Sequence, residues 1–230
     1  VEAPEGWEAP VVFVSPGHGA RRNPGNTSAW CVQEQEFTLS VAEDLAEAME
    51  DSGLFEPVLA RTGSERPSYR RRVRHQERAG ATTLIDIHSD SRGWWAEPHQ
   101  LCRDLSWSYA SGASPGFSVL VWDQGDDALV ARRLSMARSL AAALASAGFP
   151  PLTGSGGYSE DYEADVTPGV WRARRRLYML RQPSVPSVII ETHNAKDPEE
   201  ARRWEEPATR AAFADAVMAG LVSYYVLGGS

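Results

Sequence analysis

Four side chains in this sequence, His18, Glu34, His88 and Glu191, stand where a short apolar run meets polar sequence or where a helical pattern begins. His18 follows Val11-Val12-Phe13-Val14-Ser15-Pro16 and sits between Gly17 and Gly19, which leave room for a group close to the backbone. His88 closes the run Thr82–Ile87, Glu191 closes Ser187–Ile190, and Glu34 opens a stretch of helical spacing. Two imidazoles and one carboxylate make a set that holds catalytic Zn²⁺ and leaves one position open for water. A further carboxylate beside such a set serves as the base that takes a proton. Singly, each has a plainer reading: a hydrogen-bonded histidine at a strand end, a helix N-terminal acid favoured by the dipole, an exposed acid past a strand. Their occurrence together points to metal-assisted hydrolysis, with metal ligands His18, Glu34 and His88 and catalytic Glu191.

That chemistry requires strand ends that meet at one edge. Val11–Val14 reads as a buried strand, and Phe37, Val41, Leu45, Ala48 and Met49 give a helix from Glu34 to about Asp51. Glu56–Ala60 is a second strand, Ser68–Ala79 a strongly basic helix and Thr82–Ile87 a third strand. This alternation predicts a mostly parallel sheet, whose ligands sit outside the carboxyl ends of the strands. Residues 89–116 break the rhythm with a long insertion holding Trp94, Trp95, Trp107 and Tyr109. Strand Phe117–Trp122, helix Asp126–Ala147, a polar loop Thr153–Gly169, a short strand Leu177–Leu180, strand Ser187–Glu191 and helices Pro198–Trp204 and Thr209–Val226 complete the chain. The expectation is one α/β domain over 11–228: a twisted, mainly parallel sheet flanked by helices, with the metal site at the C-terminal edge of the strands. Residues 1–10 form an N-terminal arm.

The 230 residues are 42% hydrophobic, enough for one well-buried core. A net charge of -8 excludes nucleic acid and anionic membrane surfaces as main partners. No run of eighteen apolar residues occurs, so no membrane span is expected, and the start Val1-Glu2-Ala3-Pro4 carries no visible signal peptide. Lys196 is the one lysine among 23 basic residues. Arg70–Arg74 is therefore read as a solvated helix face with one structural ion pair.

The motifs together resemble a family. Pro16-Gly17-His18-Gly19 after a strand, Glu34 within Glu-Gln-Glu-Phe-Thr-Leu-Ser-Val-Ala, and Ile85-Asp86-Ile87-His88-Ser89 are similar to the metal-ligand motifs of zinc-dependent N-acetylmuramoyl-L-alanine amidases of the lytic cell-wall type. Arg72, sixteen residues before His88, fits the same pattern. Leu177–Arg181 followed by Pro186–Asn194 resembles the family's closing segment, whose Glu is catalytic. With Leu39 and Ala42 taken as core positions of the helix, the family's ligand falls on Glu34 and not Glu36. Glu36 lies about 200° round the helix from Glu34, so the two cannot face one metal. The resemblance implies one Zn²⁺ per chain, a peptidoglycan or muropeptide substrate, extracytoplasmic action and a monomer. Departures from the pattern are His193 in place of a frequent Gly, Asp90 in place of a frequent Asn, and the length of the insertion. His193, Asn194, Arg72, Trp94 and Trp95 are the candidate substrate-binding residues: His193 to orient a carbonyl, the tryptophans to stack on sugar rings. The tryptophans also read as a satellite hydrophobic cluster under a long loop.

Two other functions fit the same residues: a zinc carboxypeptidase or amidohydrolase acting on a small peptide or acyl amino acid, and a metal-free module that binds cell-wall glycopeptide. Cys31 lies three residues before Glu34 and Cys102 fourteen after His88. Convergence at one metal brings their segments near each other. A disulfide anchoring the insertion beside the cleft is expected of an exported protein, and two unlinked buried thiols are the alternative.

Overall fold

A computed structural model describes residues 3–63, 65–92, 114–153 and 161–227. Among them, strands β1 (Val11–Pro16), β2 (Glu56–Leu59), β3 (Thr83–Asp90), β4 (Ser118–Val121), β5 (Tyr162–Ala164), β6 (Val170–Ala173) and β7 (Ser187–Asn194) form one sheet in the order β2-β1-β3-β7-β4-β6-β5. The helices are α1 (Glu34–Ser52), α2 (Tyr69–Arg78), α3 (Asp127–Ser146), α4 (Tyr178–Arg181), α5 (Pro198–Glu205) and α6 (Pro207–Val226). β1, β2, β3 and β7 run parallel, whereas β4 pairs antiparallel with β7 and carries β6 alongside it. The sheet is thus mixed, with the expected parallel half containing the site. Helix α3 supplies the crossover that lets β4 and β6 run parallel.

Period-two alternation assigns the two faces. Val12, Val14, Ile85, Ile87, Val188 and Ile190 point to one side, where Leu45, Leu140 and Val217 of α1, α3 and α6 pack on them. Burying each such side chain contributes about 1.5–3 kcal/mol. Phe13, Leu84 and Ile189 point to the other side, under α2 and α4. Following that second row toward the strand ends, β1 continues to Ser15, β3 to Asp86 and His88, and β7 to Glu191. The polar site is the C-terminal continuation of an apolar row.

Several expectations need correction. Leu177–Leu180 is not a strand: Leu177 is the N-cap of the short helix α4, which turns Met179 and Leu180 into the core. The loop expected over Thr153–Gly169 contains the edge strand β5, and β6 follows it. Leu39 is half-buried; the buried stripe of α1 is Glu34, Thr38, Val41, Ala42, Leu45, Ala46 and Met49. The arm is fastened: Trp7 donates from Nε1 to the Leu54 carbonyl at 2.7 Å and meets Phe55 and Tyr225 edge-on.

Candidate active site

The first turn of α1 carries Glu34, and its amides are capped in an unusual way. The N-cap, Gln33, makes no side-chain cap. Instead the Glu34 and Gln35 amides donate to the carbonyls of Asn26 and Pro24, at 2.9 Å each. The polar loop before α1 is thereby laid across the helix end, and Asn26 comes to rest on Glu34. Both the backbone amide and the side-chain amide of Asn26 donate to Glu34 Oε2 at 2.9 Å.

His18 lies just beyond β1 with φ at +56°, a left-handed conformation that non-glycine residues rarely hold. Buried Arg72 of α2 stabilises this turn by donating to Ser15 Oγ at 2.9 Å and to the carbonyls of Pro16 and His18. Arg72 therefore sits beneath the site and not in the cleft. The structural ion pair expected of its helix is replaced by this grip on carbonyl and hydroxyl oxygens.

His18, Glu34 and His88 converge, with one ligand atom from each lying within 4.8 Å of the others. Glu34 Oε1 is 2.9 Å from His88 Nδ1, and Oε2 is 3.1 Å from His18 Nε2. Burial alone would raise the Glu34 carboxyl, but the two histidine hydrogen bonds and charges outweigh it and hold it well below its usual value. For His88, burial opposes charging, yet the carboxylates of Asp86 and Glu34 raise its pKa well above the ordinary histidine value. Two imidazoles and one ionised carboxylate, with no fourth side chain among the described residues closing the group, suit a catalytic Zn²⁺. The glycines here are packing requirements. A Cβ on Gly25, whose φ is +81°, would collide with Glu34 Oε2 and lie 2.7 Å from His18 Cδ2. The expected result for Gly25→Ala is a loss of about 1–3 kcal/mol in denaturant unfolding; an unchanged midpoint would show that the loop yields freely.

Glu191 faces the same cleft, which encloses about 490 Å³. It is the register partner of His88 on the neighbouring strand, and its Oε2 is buried without a hydrogen-bond partner. Burial and then the charge of Asp90 push its carboxyl well above the usual range, against the pull of His88. Tyr162 lines the cleft too; burial and then the Glu191 charge push its phenol up to about 12, so it remains a proton donor.

A bulge separates His193 from this cleft. His88 pairs with Glu191 but Asp90 pairs with Asn194, so β7 has one extra residue there. His193 is turned to the opposite face, stacked on Trp204 at 5.4 Å and edge-on to Phe37 at 5.0 Å. The Thr192 hydroxyl donates to the His88 carbonyl and accepts from His193 Nδ1 at 2.9 Å. Asn194 is buried as well, bonding both ways to the backbone of Arg92 at the stem of the insertion. Arg72, His193 and Asn194, expected to contact substrate, thus do not line this cleft. Trp94, Trp95 and Cys102 lie outside the described residues; Cys31 is disulfide-bonded.

Burial, then the Arg92 charge, lowers the His193 pKa to about 3. Between that value and about 6.5 the unfolded chain binds the extra proton, so stability falls as pH falls, by up to about 1.4 kcal/mol per unit. His193→Phe is expected to remove this component. Urea unfolding at about pH 7 and pH 4 should show the variant losing less stability than the wild type; equal losses would place a charged imidazole in the fold.

Sequence reasoning passed over Asn23, Asn26 and Asp86. Asp86 carried a usable signal, since residues two apart on a strand share a face. The asparagines sit in an irregular loop with no such period.

A family model described as N-acetylmuramoyl-L-alanine amidase matches residues 12–223. The fold is similar to that of Ami1, titled an N-acetylmuramyl-L-alanine amidase, from Mycobacterium smegmatis: TM-score 0.74, 20% identity, covering 96% of this chain and 99% of that one. The apo form of Ami1 from Mycobacterium abscessus gives 0.73 and 19%, covering 94% and 98%. A curated relative of the same amidase name from Buchnera aphidicola subsp. Schizaphis graminum is 33% identical over 79 residues. That alignment spans about a third of each protein, 34% of this chain and 34% of the relative. With nearly every described element inside the matched region, the chain belongs to the N-acetylmuramoyl-L-alanine amidase family of hydrolases.

Proposed function

We propose that this chain is a zinc-dependent amidase that hydrolyses the bond between the lactyl group of N-acetylmuramic acid and L-alanine in peptidoglycan. The observation that carries the reading is the meeting of His18, Glu34 and His88 within 4.8 Å on the wall of a cleft that also holds Glu191. His18, Glu34 and His88 would hold the zinc. When bound there, the metal supplies Lewis acidity, lowering the pKa of a water molecule and polarising the scissile carbonyl. Glu191 does the proton work: its unpartnered Oε2 takes the proton from the attacking water and returns it to the leaving alanine nitrogen. A carboxyl whose burial favours the protonated form is suited to the second half of that cycle. Tyr162, protonated beside it, donates a hydrogen bond to substrate oxygen.

The substrate implies action outside the cytoplasm. The disulfide at Cys31 supports that placement, since disulfides persist in oxidising compartments. Removing metal with a chelator should abolish the release of new L-alanyl amino groups from peptidoglycan, and added Zn²⁺ should restore it. Undiminished release from metal-free protein would contradict the proposal.

A further inference from the structure

The two candidate histidine ligands are held from behind by different partners, and those partners determine which ring nitrogen carries hydrogen. The Asn23 side-chain amide donates to the Tyr69 hydroxyl at 3.2 Å, which turns its oxygen toward His18 Nδ1 at 2.9 Å. An amide oxygen only accepts, so His18 Nδ1 carries the hydrogen. The other nitrogen, Nε2, lies 3.1 Å from Glu34 Oε2 and is the one left to offer a lone pair to a metal ion held there. At His88 the arrangement is reversed. Asp86 Oδ2 lies 3.2 Å from Nε2, while Nδ1 lies 2.9 Å from Glu34 Oε1. A carboxylate accepts, so Nε2 keeps its hydrogen on Asp86; Nδ1 faces the Glu34 carboxylate and presents a lone pair once a metal ion takes the place of its hydrogen there.

We propose that Asn23 and Asp86 fix the two histidines in opposite tautomers, so that His18 presents Nε2 and His88 presents Nδ1 to one metal ion. The inference rests on the zinc reading above. Exchanging either tautomer would set a lone pair against the Asn23 or Asp86 oxygen and aim an N–H at the metal. The scaffold fixes both partners independently. Asp86 shares a strand and a face with His88, and it pairs in register with Ser15 of β1, the residue that Arg72 grips from α2. Asn23 belongs to the tight turn that His18 begins, closed by the Gly19 amide on the Asn23 carbonyl at 3.0 Å. Asn23 and Asp86 are positioning residues: they act on the metal through the rings. Asp86, as a carboxylate, also makes its histidine the more basic ligand.

The test is a long-range ¹H–¹⁵N correlation spectrum of the zinc-loaded protein labelled with ¹⁵N-histidine. The expected spectrum has ring protons on His18 Nδ1 and His88 Nε2, with zinc-shifted, unprotonated His18 Nε2 and His88 Nδ1. Bound zinc with a proton on His18 Nε2 or His88 Nδ1 would overturn the inference and leave the metal reading standing. A protein that takes up no zinc would overturn both. In chelator competition, Asp86→Asn should weaken zinc about 10–100-fold, the usual range for a group hydrogen-bonded behind a ligand. Wild-type affinity in a folded Asp86→Asn protein would overturn the positioning role of Asp86.

Discussion

His88→Ala is expected to lose its bound zinc and at least about 10³-fold in hydrolysis, because metal-assisted charge stabilisation is worth several kcal/mol in the transition state. The substitution removes one of the three proposed ligands and also strips Glu34 and Asp86 of a shared partner. Two buried carboxylates are then left under-compensated, so the folded state is weakened as well. His18→Ala separates the two effects. Its side chain is partly exposed, and its removal leaves one buried carboxylate, Glu34, short of a partner where His88→Ala leaves two, so it should lose metal with a smaller loss of stability. Metal analysis of the purified variants checks the ligand assignment, and circular dichroism checks the fold. Zinc at wild-type stoichiometry in folded His88→Ala would remove His88 from the ligand set.

Glu191→Gln is expected to keep zinc and lose about 10²–10⁴-fold in turnover, the usual contribution of a positioned acid–base group. The amide preserves size and removes the carboxyl that takes up and returns a proton. The same change should stabilise the metal-free protein. Because the folded-state pKa of Glu191 is raised, its ionisation works against folding as pH rises above the ordinary carboxylate value. At neutral pH the amide escapes that penalty. Denaturant unfolding of metal-stripped samples reads the gain, and a kinetic assay reads the loss. Near-normal turnover would reduce Glu191 to a structural residue; a destabilised variant would show that its carboxyl has a partner in solution.

The sequence made the site legible because its residues lie at the ends of strongly patterned elements. Val11–Val14 and Val188–Ile190 are unbroken apolar runs and Leu84–Ile87 is interrupted by Asp86 alone, so His18, His88 and Glu191 could be placed at strand ends. Glu34 was separable from Glu36 by helical register, and Glu34 is buried where Glu36 is exposed. What escaped depends on contacts distant in sequence. Strand β6 has only four residues and exists through its pairing with β4; β5 pairs in turn with β6. Met179 and Leu180 are buried from a helix, which an apolar pair alone cannot distinguish from a strand. His193 appears one alternation beyond Glu191, but a single extra residue sends it to the other face. Composition reads Arg72 as one member of a basic run and the resemblance singles it out for substrate, but only the fold shows that it alone among those arginines is buried under the His18 turn.

Mass spectrometry of peptidoglycan digested by the zinc-loaded protein tests the central claim most directly. The account predicts glycan strands that keep intact N-acetylmuramic acid lactyl groups, together with free stem peptides beginning at L-alanine. Muropeptides still joined at that amide, with shortened peptides or cut sugars as the sole products, would contradict it.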